Sequence, residues 1–286
     1  MVQGRQGLCA LVREWQAAGQ TVALVPTMGN LHAGHHRLVE YGQSAAHRTV
    51  VSVFVNPTQF GPGEDFSRYP RTLERDLRDL ARLGVDLVYA PEAGDLYPFG
   101  TAEAVRIEVP GPSGPLCGAF RPGHFAGVAG VVLRLLLAVH PDLAIFGEKD
   151  YQQWTVIRRL VADLGFPVGI HRVPTVREPD GLAMSSRNQY LTDAERRRAP
   201  ELYRTLLDLS RSLLSGRRDF QLLELEAGQR LAAAGLVPDY VAIRTEESLE
   251  PPDPLAGPED WRLLAAVRLG ATRLIDNVSA QAAGLQ

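Results

Sequence analysis

Residues 21–46 of the chain, TVALVPTMGNLHAGHHRLVEYGQSAA, join an apolar run to a stretch of helical periodicity. The run Thr21–Val25 has the composition of a buried strand, and Gly34–Ala46 repeats apolar residues at helical spacing. The residues between them are rich in glycine and histidine. This stretch therefore predicts a strand, a loop that can bind a ligand, and a helix, in that order.

The same alternation continues over the first 175 residues. Further strands are predicted at 49–55, 85–89, 143–146 and 168–173. Helices are predicted at 8–18, 34–46, 70–83, 123–139 and 151–164. Strands that alternate with helices indicate βαβ units, so the predicted fold class is α/β with a parallel sheet covered on both faces.

The pattern changes after about residue 175. Two long helices are predicted at 193–214 and 220–234, and three short strands follow at 240–244, 263–269 and 272–275. The last two strands are separated by Gly270-Ala271, which predicts an antiparallel hairpin. We therefore expect two domains, residues 1–175 and a smaller α+β domain at residues 176–286.

The composition favours small-molecule chemistry. A net charge of −3 and a pI near 6.2 argue against a general binder of nucleic acid or anionic membrane. Cys9 and Cys117 match no metal or redox spacing. The N-terminal residues do not resemble a secretion signal, and no run of about 18 apolar residues occurs. We expect a cytoplasmic protein outside the membrane, with reduced thiols.

The loop after the first strand carries His32 and His35 around Gly34. Gly29 allows a turn, and Gly34 lets the first turn of the next helix approach an anion without a Cβ in the way. Imidazoles at a helix N-terminus can hydrogen-bond phosphate oxygens and stabilise charge that develops on them. The loop therefore suits attack at an α-phosphorus. Metal chelation by His32, His35 and His36, or a purely structural role, stays an alternative at this point.

Two further stretches suit phosphate chemistry. Lys149 is the one lysine among 30 lysines and arginines, and it follows the predicted strand 143–146. An ammonium is a compact charge that can follow a phosphoryl oxygen. The stretch Met184-Ser185-Ser186-Arg187 offers hydroxyl groups and a guanidinium to a leaving pyrophosphate. The alternatives are a lysine kept by chance and an ordinary helix cap.

Several motifs together carry a family resemblance. The histidine loop and residues 184–187 are similar to the His-x-Gly-His and Lys-Met-Ser-Lys-Ser signatures of the nucleotidyltransferase superfamily, which includes class I aminoacyl-tRNA synthetases. Within it, the chain resembles the pantothenate synthetase family. The motifs are Val25-Pro26-Thr27-Met28-Gly29, Phe54-Val55-Asn56-Pro57-Thr58-Gln59-Phe60, Tyr69-Pro70-Arg71-Thr72, Gly147-Glu148-Lys149-Asp150 with Gln153, and Met184-Ser185-Ser186-Arg187.

The resemblance implies a Rossmann-like nucleotide-binding domain, a C-terminal lid domain and a two-step ligation. ATP and pantoate would give pantoyl adenylate and pyrophosphate, and β-alanine would then give pantothenate and AMP. The implied catalytic residues are His32, His35 as proton donor, Lys149 and Arg187. The implied ATP-binding residues are Met28, Gly29, Asn30, Leu31, His32, Ala33, Gly34, His35, Gly147, Glu148, Lys149, Asp150, Val176, Met184, Ser185, Ser186 and Arg187. Pantoate would contact Gln59 and Gln153, and β-alanine would arrive at Gln59.

The resemblance also implies a homodimer, and the triphosphate implies Mg²⁺. Phosphate oxygens and water would bind most of the ion; Asp76 and Asp150 are candidate carboxylates, and no residue is assigned as a metal ligand. A mobile cover over the adenylate is also expected, and its candidates are residues 60–67 and the second domain.

Two other functions remain as alternatives. One is an adenylyl- or cytidylyltransferase of the same superfamily, which would leave the nucleotide on its product. The other is a non-catalytic ATP sensor. Release of AMP separates the first from a ligase, and the presence of both histidines, the lysine and the serine pair favours an enzyme over a sensor.

Overall fold

The computed structural model describes residues 1–285. They group into two compact units. The first unit consists of Met1–Ser113, Arg121–Glu148 and Gln153–Pro174, and the second of Gly114–Phe120, Lys149–Gln152 and the chain from Thr175 onward. The domain boundary between residues 175 and 176 stays a prediction. Within the described residues, no helix is both long and apolar enough to cross a membrane.

The first unit is built on a five-stranded parallel sheet with strand order β3-β2-β1-β4-β5. Its strands are β1 Val22–Thr27, β2 Arg48–Val53, β3 Leu87–Tyr89, β4 Leu143–Gly147 and β5 Gly169–Val173. All five strands expected from the sequence are confirmed. Residues 22–25 are fully buried, which is the pattern of a strand covered on both faces.

Helices cover this sheet. Those of the first unit are α1 Arg5–Ala17, α2 Ala33–Ala45, α3 Leu73–Arg82, α4 Ala93–Leu96, α6 His124–Val139 and α7 Tyr151–Asp163, although the first two residues of α7 group with the second unit. Helix α2 packs on β1, β2 and β4, where Leu38 and Val39 join a buried cluster with Val25 and Ile145. Helices α1 and α6 pack on β1 and on each other.

The strand order reverses beside β1. From β1 the chain continues outward through β2 to β3, whereas β4 and β5 lie on the other side of β1. Ligands of open parallel sheets bind at the carboxyl ends of the strands beside such a reversal. The loops after β1 and β2, residues 28–32 and 54–60, leave the sheet at this edge.

The second unit contains a three-stranded antiparallel sheet, β6-β7-β8. Its strands are β6 Val237–Thr245, β7 Trp261–Leu269 and β8 Thr272–Ser279, and its helices are α5 Cys117–Phe120, α8 Asp193–Arg198, α9 Glu201–Leu214 and α10 Phe220–Ala233. Strands β7 and β8 form the predicted hairpin around Gly270-Ala271. Trp261, Leu206 and Leu213 belong to the buried cluster of this unit.

The single helix predicted at residues 193–214 is wrong. The structure has two helices, α8 and α9, separated at Ala199-Pro200. Pro200 has no N–H to continue the hydrogen bonds of α8, and its fixed φ suits the start of a helix. The apolar periodicity runs through the break, which is why the pattern alone suggested one helix.

Candidate active site

The loop after β1 is held by a buried carboxylate. Asp76 on α3 is only 1% exposed. Its Oδ2 accepts the N–H of Asn30 at 2.9 Å, and its Oδ1 accepts the N–H of Leu31 at 2.9 Å. Gly29 and Asn30 both have positive φ, 77° and 52°, so the loop needs such support to keep its shape. Asp76 is thus committed to the loop, which argues against the predicted option that it binds a metal ion.

The two motif histidines cap the start of helix α2. His32 Nδ1 accepts the N–H of Gly34 at 3.1 Å, and His35 Nδ1 accepts the N–H of His32 at 3.3 Å. The ring centroids are 4.1 Å apart. A neutral imidazole that accepts through Nδ1 carries its proton on Nε2. Both rings therefore carry the proton on Nε2, at the positive end of a helix dipole.

Chelation of one metal ion by His32, His35 and His36 finds no support. The Nδ1 atoms of the first two rings are used by backbone donors. Among residues 1–285, no three histidines, cysteines or acidic residues are arranged to hold a metal ion.

We expect Asp76→Asn to raise the KM for ATP about tenfold or more. The new amide group would turn an N–H toward a backbone N–H of the loop, and a lost hydrogen bond to a charged group costs roughly 1.5–3 kcal/mol. Steady-state kinetics with varied ATP would measure the change. Asp79→Asn is the matched control on the same helix, because Asp79 pairs with the exposed Arg75 and Arg82 in surface ion pairs. Equal KM values for the two variants would contradict this role.

Gln59 lies in a buried polar cluster at the end of β2. Its Oε1 accepts from Asn56 Nδ2 at 3.1 Å, and its Nε2 lies 2.9 Å from Met28 Sδ. Asn56 is 1% exposed and accepts a hydrogen bond from the Tyr97 hydroxyl at 2.7 Å. Burial raises the pKa of Tyr97, which keeps the phenol protonated as the donor. The structure therefore brings together Gln59 and Met28, which were both predicted as site residues.

The sequence did not single out Asn56 or Tyr97 individually. Asn56-Pro57 is a turn signal, but it says nothing about which group the amide contacts. Tyr97 lies beyond α3, β3 and α4 in the chain, so no local pattern connects it with Asn56.

A glycine on α6 allows this cluster to form. The carbonyl of Gly127 accepts from Asn56 Nδ2 at 3.2 Å. A Cβ at Gly127 would lie 2.2 Å from the carbonyl oxygen of Thr58 and 2.7 Å from the Cα of Gln59. The turn Pro57–Gln59 can lie against the helix only because position 127 has no side chain.

Lys149 lies in the turn that follows β4. Its carbonyl accepts from Asn277 Nδ2 at 2.9 Å, and its Nζ lies 3.7 Å from Asp150 Oδ1. Its side chain is 19% exposed. At the start of the same turn, Glu148 forms an ion pair with Arg172 in the first unit. The backbone of Lys149 is thus fixed independently of its ammonium group.

The two segments of the second unit that were predicted to bind ATP, residue 176 and residues 184–187, are hydrogen-bonded to each other. Met184 donates its N–H to the carbonyl of Val176 at 3.0 Å. Ser185 caps the 3₁₀ helix Ser186–Tyr190 by accepting the N–H of Arg187 at 3.2 Å. Residues 176 and 184–187, which are separated in sequence, are therefore neighbours.

Strand β8 anchors both of these segments. Asp276, 2% exposed at its side chain, binds Arg177 through two hydrogen bonds of 2.6 and 3.0 Å. The next residue, Asn277, binds the carbonyl of Lys149. Adjacent residues of one strand thus position Lys149 and the segment that begins at Val176. Neither Asp276 nor Asn277 was predicted as a site residue, because their contacts with Arg177 and Lys149 join residues that are far apart in the sequence.

Gln153 lies in the first turn of α7 and is half-buried. It groups with the first unit, as do the histidine loop and Gln59, whereas Lys149, Val176 and residues 184–187 group with the second. The roles assigned to all of these residues stay predictions.

Comparison with known proteins identifies the family. The family model described as pantoate-beta-alanine ligase matches residues 1–279. Pantothenate synthetase of Methylococcus capsulatus is 52% identical over 278 residues, which cover 97% of this chain and 96% of that protein. The enzyme of Halorhodospira halophila is 53% identical over 282 residues, with 98% of each chain covered.

Solved structures agree with the sequence matches. Pantothenate synthetase of Thermus thermophilus has a TM-score of 0.90 at 47% identity, with 98% of each chain covered. Pantoate-beta-alanine ligase of Francisella tularensis, complexed with beta-gamma ATP and beta-alanine, has a TM-score of 0.82 at 33% identity and covers 98% of this chain and 97% of its own. The chain therefore belongs to the pantoate-beta-alanine ligase family.

Proposed function

We propose that this enzyme joins pantoate to β-alanine with ATP, through a pantoyl-adenylate intermediate, and releases AMP and pyrophosphate. The observation that carries the proposal is the capped pair His32 and His35, whose Nδ1 atoms accept backbone N–H groups at the N-terminus of α2. The Francisella tularensis relative was solved with beta-gamma ATP and beta-alanine, which supports the same two substrates here.

The first step needs positive groups and no strong base. A carboxylate oxygen of pantoate forms a bond to the α-phosphorus, and the bond from that phosphorus to pyrophosphate breaks. The carboxylate is already ionised at neutral pH, so catalysis consists of stabilising charge on the phosphates. We assign this role to His32, to His35 as donor through Nε2, and to Lys149 and Arg187, with Ser185 and Ser186 as further donors.

The remaining predicted residues bind nucleotide and acceptor. Residues 28–35, 147–150, 176 and 184–187 are assigned to ATP, and Gln59 and Gln153 to pantoate. An amide can both donate and accept, which suits the hydroxyl and carboxylate groups of pantoate. In the second step the β-alanine nitrogen, near Gln59, bonds to the acyl carbon and loses a proton while the bond to AMP breaks.

Most ligands of Mg²⁺ would come from the triphosphate and water, and few from the protein. Asp76 is used by the loop, whereas the Asp150 side chain is 47% exposed. Asp150 is therefore the one of the two candidate carboxylates that suits the ion, with phosphate oxygens and water as the other ligands. When bound, Mg²⁺ would supply charge neutralisation to the phosphates.

The assay for this function follows both products. Purified protein is mixed with ATP, Mg²⁺ and pantoate, and pyrophosphate and AMP are measured with and without β-alanine. We expect AMP and pantothenate in equal amounts once β-alanine is added. No pyrophosphate with pantoate, but pyrophosphate release once a phosphorylated acceptor replaces it and keeps the nucleotide, would indicate a nucleotidyltransferase instead. ATP binding without any of these products would indicate a sensor.

We further propose that two copies pair through residues 105–109, Val-Arg-Ile-Glu-Val. This segment alternates apolar and charged residues as a half-buried strand does, yet within residues 1–285 it belongs to no sheet. Val105 is 75% exposed. Antiparallel pairing of two copies about Ile107 would place Arg106 of one copy opposite Glu108 of the other, twice by symmetry.

Charge reversal tests this interface. Arg106→Glu should weaken the dimer roughly tenfold or more, because two pairs of like charges then face each other. The double variant Arg106→Glu/Glu108→Arg restores both pairs and should restore the dimer. Sedimentation equilibrium measures the dimer dissociation constants of the single and the double variant. A dimer that the single substitution leaves unchanged would show that another surface forms the interface.

The reaction is proposed to take place in the cytoplasm. ATP is its substrate and is available there. Cys9 and Cys117 form no disulfide, which suits a reducing compartment.

A further inference from the structure

An ion pair holds the segment that follows Gln59. Glu64 faces Arg121, whose Nε and Nη2 donate to Oε1 and Oε2 at 2.7 and 2.6 Å. Such bidentate pairs fix both distance and orientation. Burial acts to raise the pKa of Glu64, but the hydrogen bonds and charge of Arg121 outweigh it and hold that pKa below its ordinary value. The carboxylate is therefore ionised at neutral pH.

Arg121 is linked in turn to the backbone of Gln59. Its Nη1 lies 2.9 Å from His124 Nε2, and His124 Nδ1 lies 2.8 Å from the carbonyl oxygen of Gln59. A guanidinium can only donate and a carbonyl can only accept. His124 is therefore a neutral imidazole with its proton on Nδ1, accepting from Arg121 and donating to Gln59.

These contacts close a ring. The chain runs from Gln59 to Glu64, and the side chains return from Glu64 through Arg121 and His124 to Gln59. Phe60, which lies within the ring, packs against Phe66 and Tyr69, which follow it, with aromatic centroids 5.3 and 5.9 Å apart. Movement of the 60–67 segment therefore alters the position of Gln59.

We propose that Arg121 and His124 are positioning residues that hold the substrate-binding amide of Gln59 in place and couple it to the 60–67 segment through Glu64. The inference rests on the proposed role of Gln59 in binding pantoate. The side chain of Gln59 is oriented by Asn56, whereas its backbone is oriented by His124. Loss of the second contact leaves the amide correctly paired but displaced as a whole.

The test compares substrates within one set of variants. His124→Ala removes both hydrogen bonds and should raise the KM for pantoate about tenfold, because small displacements of positioning groups have large effects on binding and rate. The KM for ATP should change less than the KM for pantoate, because the ring contains none of the residues assigned to ATP and, among the hydrogen bonds described for residues 1–285, contacts them through Met28 alone. His124→Asn keeps a short donor and should recover most of the loss. If His124→Ala lowers the stability of the protein but leaves the KM for pantoate unchanged, the proposal is overturned.

Coupling is tested by combining variants. Glu64→Gln alone should raise the KM for pantoate roughly threefold, and adding it to His124→Ala should change that value less than about twofold, because the ring is already broken. Multiplicative effects would overturn the coupling. Glu226→Gln, which weakens an exposed ion pair with Arg217 in the second unit, is the control and should change neither KM.

Gln59→Ala separates this inference from the proposed function. If it raises the KM for pantoate and His124→Ala does not, the positioning role is wrong and the binding role stands. If Gln59→Ala leaves that KM unchanged, the binding role of Gln59 fails, and the inference fails with it.

Discussion

Lys149→Met should lower the rate of pantoate-dependent pyrophosphate release by about 10²–10³-fold, the range seen when one preorganised charge-stabilising donor is removed. The contact that fixes this residue uses its backbone carbonyl, which accepts from Asn277. The substitution therefore removes the ammonium and leaves its support in place. We expect the thermal unfolding midpoint to stay close to that of the unmodified enzyme.

Lys149→Arg distinguishes charge from geometry. A guanidinium is longer and planar, so it keeps the charge but cannot follow a single oxygen as an ammonium does. We expect an intermediate rate. Arg211→Met is the matched control, because it removes an exposed cation of the second unit, where Arg211 pairs with Asp208. A Lys149→Met variant as active as this control would remove Lys149 from the mechanism.

The fold could be predicted because its signals are local. Strands β1 to β4 of the parallel sheet each contain a short apolar run, and burial of both sheet faces requires such runs. The hairpin at Gly270-Ala271 could also be predicted, because a two-residue turn that contains glycine between strand-like runs is typical of a hairpin. A proline inside a helical pattern predicts a break, so Pro200 could have marked the end of α8. The apolar periodicity continues across Pro200, and for that reason a single helix was predicted.

The supports of the site could not be predicted because they depend on contacts between distant residues. Asp76 and Asp79 lie on the same charged helix, Leu73–Arg82, three residues apart. One is buried against the loop after β1, and the other pairs with arginines at the surface. Their local sequences give no reason to separate them. The same holds for Asn277, whose partner Lys149 is 128 residues away.

Glycine at position 127 illustrates the difference most sharply. Within a helix, glycine is normally a destabilising residue, and replacement by alanine is expected to stabilise it by up to about 1 kcal/mol. The structure reverses this expectation, because the backbone of Thr58 and Gln59 occupies the space of the missing Cβ. Backbone atoms cannot rotate away as the end of a long side chain can.

Gly127→Ala should therefore destabilise the first unit by about 3 kcal/mol, the upper part of the range for overpacked cores. That loss corresponds to a fall of roughly 6–12 °C in the thermal unfolding midpoint. The turn Pro57–Gln59 must move away from α6, so the hydrogen bond from Asn56 to the Gly127 carbonyl is strained and Gln59 is displaced. Circular dichroism and the KM for pantoate measure the two effects.

Gly130→Ala provides the control one turn along the same helix. A Cβ at position 130 would meet only Nη1 of Arg134, at 3.2 Å, which is the far end of a flexible side chain. The substitution should be neutral or stabilising, with the KM for pantoate unchanged. Equal stability of the two alanine variants would mean that α6 does not lie against the turn as described. If only Gly127→Ala lowers the unfolding midpoint and raises the KM for pantoate, the contact between α6 and the turn fixes the position of Gln59. The two substitutions are chemically identical and differ only in the atoms that the new methyl group meets.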